Sequence, residues 1–223
     1  MLRLQNVTKD YLTDGQRVRA LDEISLEVSR GEFVALVGRS GCGKSTLLNL
    51  AGAMDLPTSG QVLLDGVATS SLKDSGLTRL RREKIGFIFQ SFQLLHTLNV
   101  VENVELPLLL AGNQNARAVA TERLAWVELD GLADRYPHQL SGGQMQRVAI
   151  ARGLVHSPSL VLADEPTGNL DTSTGNTILA LLQRLARELN TATIIATHSI
   201  EAAALASVLV RLRDGKIQEI SRN

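Results

Sequence analysis

Gly38-Arg-Ser-Gly-Cys-Gly-Lys-Ser45 fits the spacing G-x-x-x-x-G-K-[ST], in which glycines let the backbone curl until successive N–H groups point inward at the α- and β-phosphates of a nucleotide. Gly38, Arg39, Ser40, Gly41, Cys42 and Gly43 form the loop, and Lys44 is placed to reach the β- and γ-phosphates. Ser45 and Thr46 open a helix expected over Ser45 to Ala53, whose positive N-terminal end faces the phosphate charge while the Ser45 hydroxyl is offered to Mg²⁺. Just upstream, Glu32-Phe-Val-Ala-Leu-Val37 is a short, apolar, β-branched run of buried-strand type. Strand, glycine loop and helix thus follow in the order the motif requires.

Two further stretches gain meaning from this one. Leu160-Val-Leu-Ala-Asp-Glu165 is a short apolar strand ending in two acids, the layout by which an open parallel sheet delivers carboxylates to the crevice at its strand ends. Asp164 is expected to hold Mg²⁺ through water, and Glu165 to polarise the water that attacks the γ-phosphate. In Leu140-Ser-Gly-Gly-Gln144, Ser141 supplies a hydroxyl, Gly142 and Gly143 expose backbone N–H groups, and Gln144 lies in the first turn of a helix running to His156. That is a second anion-binding helix start.

Composition limits the rest. With 223 residues the chain buries a substantial core as one domain, with or without an inserted lobe. Lys plus Arg equals Asp plus Glu at 23 each, so there is no basic field of the kind a general nucleic-acid binder carries, and no nucleic-acid partner is expected. The sequence shows neither an apolar export signal nor 18 consecutive apolar residues, so it is expected to remain cytoplasmic. The single cysteine, Cys42, allows no intrachain disulfide. It is read as a small residue filling a serine-sized space, although loop dipoles could activate its thiol and alkylation there is expected to block nucleotide binding.

Along the chain, Leu2 to Tyr11, Arg17 to Val28 and Gly31 to Val37 read as β-structure, with turns at Thr13-Asp-Gly15 and Ser29-Arg-Gly31. Pro57-Thr-Ser-Gly60 breaks the chain before a strand at Gln61 to Leu64, Asp65-Gly66 signals a hairpin, and Ile85 to Phe89 is another buried strand. From about Ser91 to Ser157 strand-like runs give way to helical periodicity in Asn99 to Leu110, Asn115 to Leu129 and Gly142 to His156. Strands return at Leu160 to Ala163 and Thr193 to Ala196 around a helix from Ser173 to Leu189, and the chain closes in a hairpin about Asp214-Gly215.

Gly38 to Ser45, Leu140 to Gln144 and Leu160 to Glu165 resemble the Walker A, signature and Walker B motifs of an ABC-type ATPase, and the resemblance covers essentially the whole chain. It implies an α/β fold: a P-loop NTPase core with a mainly parallel sheet, an N-terminal antiparallel β-subdomain and an inserted helical subdomain. The division expected within the single domain 1–223 is a nucleotide-binding core with its β-subdomain at 1–90 and 158–223, and a helical signature subdomain at 91–157.

The resemblance also assigns roles. Gln90 matches the glutamine that touches Mg²⁺ and the attacking water, and His198 the switch histidine that contacts the γ-phosphate and Glu165. Asp171, in Gly168-Asn-Leu-Asp171, corresponds to the aspartate that communicates across a dimer, while Asp before Thr172 and Ser173 is equally a helix cap. Tyr11 resembles the aromatic that stacks on adenine, which a π-face does without reading the base. One departure is Ser199, where family members usually carry aspartate after the histidine.

The implied protein binds ATP and Mg²⁺ and hydrolyses ATP as a homodimer, with each signature over the other copy's phosphate loop. It serves separate membrane subunits at the inner face of the cell inner membrane. Arg81 to Gln90, Glu102 to Pro107 and Leu162 to Asp171 are similar to the bacterial lipoprotein-release and macrolide-export ATPases. The apolar stretch Phe92 to Leu98 is the candidate contact for membrane subunits, while Leu106 to Leu110 is expected to pack inward. The alternative is a soluble ATPase of the same family acting in translation or DNA maintenance.

Overall fold

The strands that frame the glycine loop are apolar on both faces, and the two faces feed different cores. In the computed structural model, which describes residues 1–13 and 15–222, β1 (Leu2–Thr13), β2 (Gln16–Val28), β4 (Ser59–Leu64) and β5 (Val67–Ala68) form an antiparallel sheet in the order β2-β1-β4-β5. The second sheet has six strands in the order β10-β9-β3-β8-β7-β6. Its members β3 (Phe33–Val37), β6 (Ile85–Phe89), β7 (Leu160–Asp164), β8 (Ala192–Thr197) and β9 (Val208–Arg213) run parallel, and β10 (Lys216–Arg222) returns antiparallel along β9.

Because side chains alternate along a strand, Val34, Leu36, Leu160, Leu162, Ile194 and Ala196 meet α1 (Lys44–Ala51) and the antiparallel sheet. Their neighbours Phe33, Ala35, Val161, Ala163 and Ile195 meet the helices on the other face. Those helices are α3 (Val100–Leu110), α4 (Ala116–Trp126) and α5 (Gly142–Leu154), all between β6 and β7 in the chain, together with α6 (Thr172–Glu188). Residues buried on either face of a sheet covered on both sides are mostly apolar, which is why these strands read as near-continuous hydrophobic runs, with Thr193 and Thr197 of β8 the buried polar members.

The hairpins at Asp65-Gly66 and Asp214-Gly215 stand as expected, each with both central residues at positive φ (47° and 82°; 49° and 75°), the requirement of a type I′ turn. The turn at Thr13-Asp-Gly15 includes Asp14, which lies outside the described residues.

The structure adds or corrects several elements. The phosphate-loop helix begins one residue earlier than the expected Ser45 and ends at Ala51, two residues before Ala53. Helix α2 (Asp74–Lys84) and the short α7 (Ile200–Leu205) have no counterpart in the sequence reading. Leu106 to Leu110 does not all pack inward: Leu108 is buried, but Leu109 and Leu110 are 53% and 69% exposed. One face of α3 carries Val100, Val101, Val104 and Leu108 into the core, so the helical turn carries Leu109 and Leu110 around to the outside.

Candidate active site

Four neighbouring parallel strands each lead into a polar group, and the ends lie side by side. β3 runs into the glycine loop, β8 is followed by His198, β7 ends in Asp164 and is followed by Glu165, and β6 is followed by Gln90. In-register pairs Val37 with Thr197, Ala196 with Asp164, and Asp164 with Phe89 hold the ends level. Between them opens a cleft of about 740 Å³ whose walls include Ser40, Gly41, Gly43, Lys44, Ser45, Thr46, Gln90, Asp164, Glu165 and His198.

The loop needs its glycines. Gly43 sits at φ 106°, and a Cβ there would lie 2.7 Å from the Ala20 carbonyl oxygen. At Gly38 a Cβ would meet the Leu212 carbonyl oxygen at 2.3 Å and the Cys42 sulfur at 2.6 Å. The Cys42 side chain is 5% exposed, its sulfur packed against Gly38.

Lys44 is only 7% exposed, and its ammonium donates to the carbonyls of Gly38 (2.8 Å) and Arg39 (3.2 Å) in its own loop. It also lies 3.3 Å from Nε2 of His198, which in turn lies 3.0 Å from Glu165 Oε1. His198 Nε2 can donate to Glu165 or accept from Lys44, and one nitrogen cannot do both at once. Glu165 itself occupies the left-handed region at φ 47°, its N–H bonded to the Ala196 carbonyl at 2.9 Å. This twist re-aims its carboxylate relative to Asp164.

Gln90 exchanges two hydrogen bonds with Asn169: its Nε2 donates to Asn169 Oδ1 at 3.1 Å, and Asn169 Nδ2 donates to the Gln90 carbonyl at 3.0 Å. A Cβ on Gly168 would fall 2.6 Å from Gln90 Nε2, so glycine at that position makes room for the pair. Asn169 is a site residue the sequence reading passed over although it stands inside the quoted Gly168 to Asp171 stretch. Arg152 was also missed; from the last turn of α5 it donates to the carbonyls of Phe92 (2.8 Å) and Gln93 (2.5 Å), residues held at φ 61° and 52°.

Other expected site residues stand apart from the cleft. Ser141, Gly142, Gly143 and Gln144 start α5 with a capping box, Ser141 Oγ accepting from Gln144 N and Gln144 Oε1 from Ser141 N. They pack beside Leu170 and Thr174, outside their own chain's cleft. Asp171 caps α6 by accepting from Thr174 N at 3.0 Å; bonds from the Thr174 hydroxyl and amide hold its carboxyl below the usual range. Arg39 lines a second hollow with Arg211 and Arg213.

Tyr11 is not part of the cleft wall; it is 36% exposed, its hydroxyl donating to Asp55 at 3.0 Å. Partial burial and the adjoining Asp55 carboxylate push its phenol up. Burial raises Asp55, but bonds from Lys9, the Leu56 amide and Tyr11 outweigh this and leave it below the usual carboxylate value.

The ABC transporter profile matches residues 21–168. The chain belongs to the ABC transporter family. This ABC cassette is 44% identical to the lipoprotein-releasing system ATP-binding protein LolD of Bordetella avium, over 97% of the chain and 95% of that protein. It is 46% identical to the macrolide export ATP-binding/permease protein MacB of Syntrophobacter fumaroxidans over 98% of the chain, which spans 31% of that longer protein. Among solved structures, a dimeric post-hydrolysis state of the cassette MJ0796 of Methanocaldococcus jannaschii, bound to ADP and Pi, superposes with a TM-score of 0.90 at 42% identity, covering 100% of this chain and 98% of that one. The ABC cassette described here is accordingly an ATP-binding, ATP-hydrolysing transporter subunit of mixed α/β fold with an antiparallel N-terminal sheet.

Proposed function

We propose that two copies of this cassette close face to face, each covering the ATP in the other's cleft with Ser141, Gly142, Gly143 and Gln144, and that opening and closing drives separate membrane subunits in export or release. The carrying observation is the separation within one chain: the helix start built for an anion lies outside the cleft that holds Lys44. The dimeric MJ0796 cassette and the LolD and MacB relatives support the same reading. In this scheme residues 1–90 and 158–223 act as the nucleotide-binding core, and 91–157 as the lobe that moves with the membrane subunits. Phe92 to Leu98, where Leu95 is exposed, offers the contact. Among the described residues no helix is long and apolar enough to cross a membrane, which suits a subunit held at the inner face of the cell inner membrane by partners.

Within the cleft, the γ-phosphate draws Lys44 off the Gly38 and Arg39 carbonyls. His198 Nε2 is then free to serve Glu165 alone, and the carboxylate orients and polarises the attacking water. The Ser45 hydroxyl, Gln90 amide oxygen and Asp164 carboxylate are hard oxygen donors in one cleft, a set that fits Mg²⁺. No cluster of three or more His, Cys, Asp and Glu able to hold a metal alone occurs among the described residues, so phosphate oxygens and water would complete its shell. When bound, the ion neutralises charge on the transferring phosphoryl group.

Glu165→Gln tests the reading. ATP binding and ATP-dependent dimerisation on a sizing column should persist while turnover falls roughly 100-fold or more; wild-type turnover would remove Glu165 from the role.

A further inference from the structure

Tyr11 is more constrained than a strand tyrosine at a sheet margin needs to be. Lys9 and Tyr11 are two residues apart on β1 and so share a face. Lys9 Nζ lies 4.9 Å from the Tyr11 ring centroid, 2.7 Å from Asp55 Oδ1 and 2.8 Å from the Leu56 carbonyl oxygen. Asp55 Oδ2 takes the Tyr11 hydroxyl at 3.0 Å, and its Oδ1 also accepts the Leu56 amide at 2.7 Å. The carboxylate is thus held by two groups besides Tyr11, and the Lys9 side chain is 12% exposed. Asp55 comes just after α1, the helix that starts at the phosphate loop, and its N–H bonds the Asn49 carbonyl of that helix at 3.4 Å. The ring is therefore tied at its hydroxyl to the helix that carries the phosphate site.

We propose that Asp55 is a positioning residue for nucleotide binding, fixing Tyr11 as a preformed shelf on which the purine ring of a nucleoside triphosphate stacks. The inference rests on the reading of Tyr11 as the base-stacking residue. Lys9 attracts one face of the ring through its quadrupole, and the opposite face is left for the base. A ring already fixed in orientation loses little freedom when the base arrives, so the tether raises affinity without any contact of its own to the nucleotide. It acts on the π-face and not on a base edge, so adenine and guanine nucleotides gain alike, whereas inorganic tripolyphosphate, which has no base, gains nothing.

The test measures dissociation constants of the full chain for ATP, GTP and inorganic tripolyphosphate with Tyr11→Phe, Asp55→Ala and the double variant, and with Tyr11→Ala as reference. Tyr11→Phe keeps the ring and removes only the tethered hydroxyl, so it also serves where Asp55→Ala folds poorly. Expected is a roughly three- to tenfold weakening of ATP and GTP in both single variants. Tripolyphosphate binding should be unchanged, and the double variant no weaker than either single one. Equal weakening of tripolyphosphate would show that Asp55 only supports α1. Loss of ATP affinity in Tyr11→Ala but in neither tether variant would leave the stacking in place and overturn the role of Asp55. No loss in Tyr11→Ala would overturn the stacking itself.

Discussion

His156 shows how a single burial sets a pH dependence. Its Nε2 bonds the Ile85 carbonyl at 3.1 Å, which requires the proton on that nitrogen, and its buried Nδ1 has no partner. Adding a second proton would bury an N–H with no acceptor, and burial pushes the imidazole below its ordinary value of 6.5. The unfolded chain then binds more protons than the folded one, so the stabilising contribution is complete above about pH 6.5 and is lost as pH falls below it. Thermal unfolding at pH 7.5 and 5.5 should show a smaller loss on acidification for His156→Gln than for the wild type. Ser199 is another residue-level case: its hydroxyl accepts from Ala202 N at 3.0 Å and caps α7. Serine and aspartate are both good caps, so the departure from the family pattern keeps the local backbone that follows His198. What no reading of residues one at a time discloses is pairing: Gln90 with Asn169, or Tyr11 with Asp55, joins positions 79 and 44 apart in the chain.

Among the elements, those built on a strong apolar period were legible, and those held by other means were not. α6 carries a clear stripe of Ile178, Leu179, Leu182, Leu185 and Ala186, and was found within one residue at each end. α2 buries only Leu77, with Leu80 partly buried beside it, and is otherwise charged or small, and α7 is six residues long with only Ala202 buried, so neither offers more than one turn of apolar period to read. In α3 the opposite problem holds: Leu106-Pro-Leu-Leu-Leu110 is apolar all round, and the sequence does not say which side faces out. The seating of α5 was equally invisible. A Cβ on Gly86 of β6 would lie 2.1 Å from the Gly153 carbonyl oxygen of α5, so helix and strand touch backbone to backbone. This contact ties the helix that starts with the signature to the strand that leads into Gln90. Gly86→Ala must push them apart and should cost about 1–3 kcal/mol, read as a lower urea midpoint with an unchanged slope.

At the scale of the whole molecule, the two-copy arrangement makes an arithmetic prediction. Lys44→Ala damages a copy's own cleft, and Ser141→Arg damages the cap it lends to the other. Each variant alone should be inactive, yet in a mixed dimer one of the two sites is built from undamaged halves. With random pairing about half the dimers are mixed, so an equal mixture should recover about a quarter of the wild-type ATPase sites; no recovery would place each site within one chain. The in-register ends of β3, β8, β7 and β6 carry a further consequence. At about 4.8 Å per strand the sheet acts as a ruler, spacing the loop, His198, Glu165 and Gln90 by ladder bonds that leave no slack. Length changes are therefore tolerated unequally at the two ends of these strands: an added residue at a leading end only lengthens a connection, whereas one added at a trailing end takes a reactive group off its mark. Lineages of this chain should keep the number of residues between each strand and its reactive group fixed, while segments beyond those groups, such as 91–157 after Gln90, are free to vary in length.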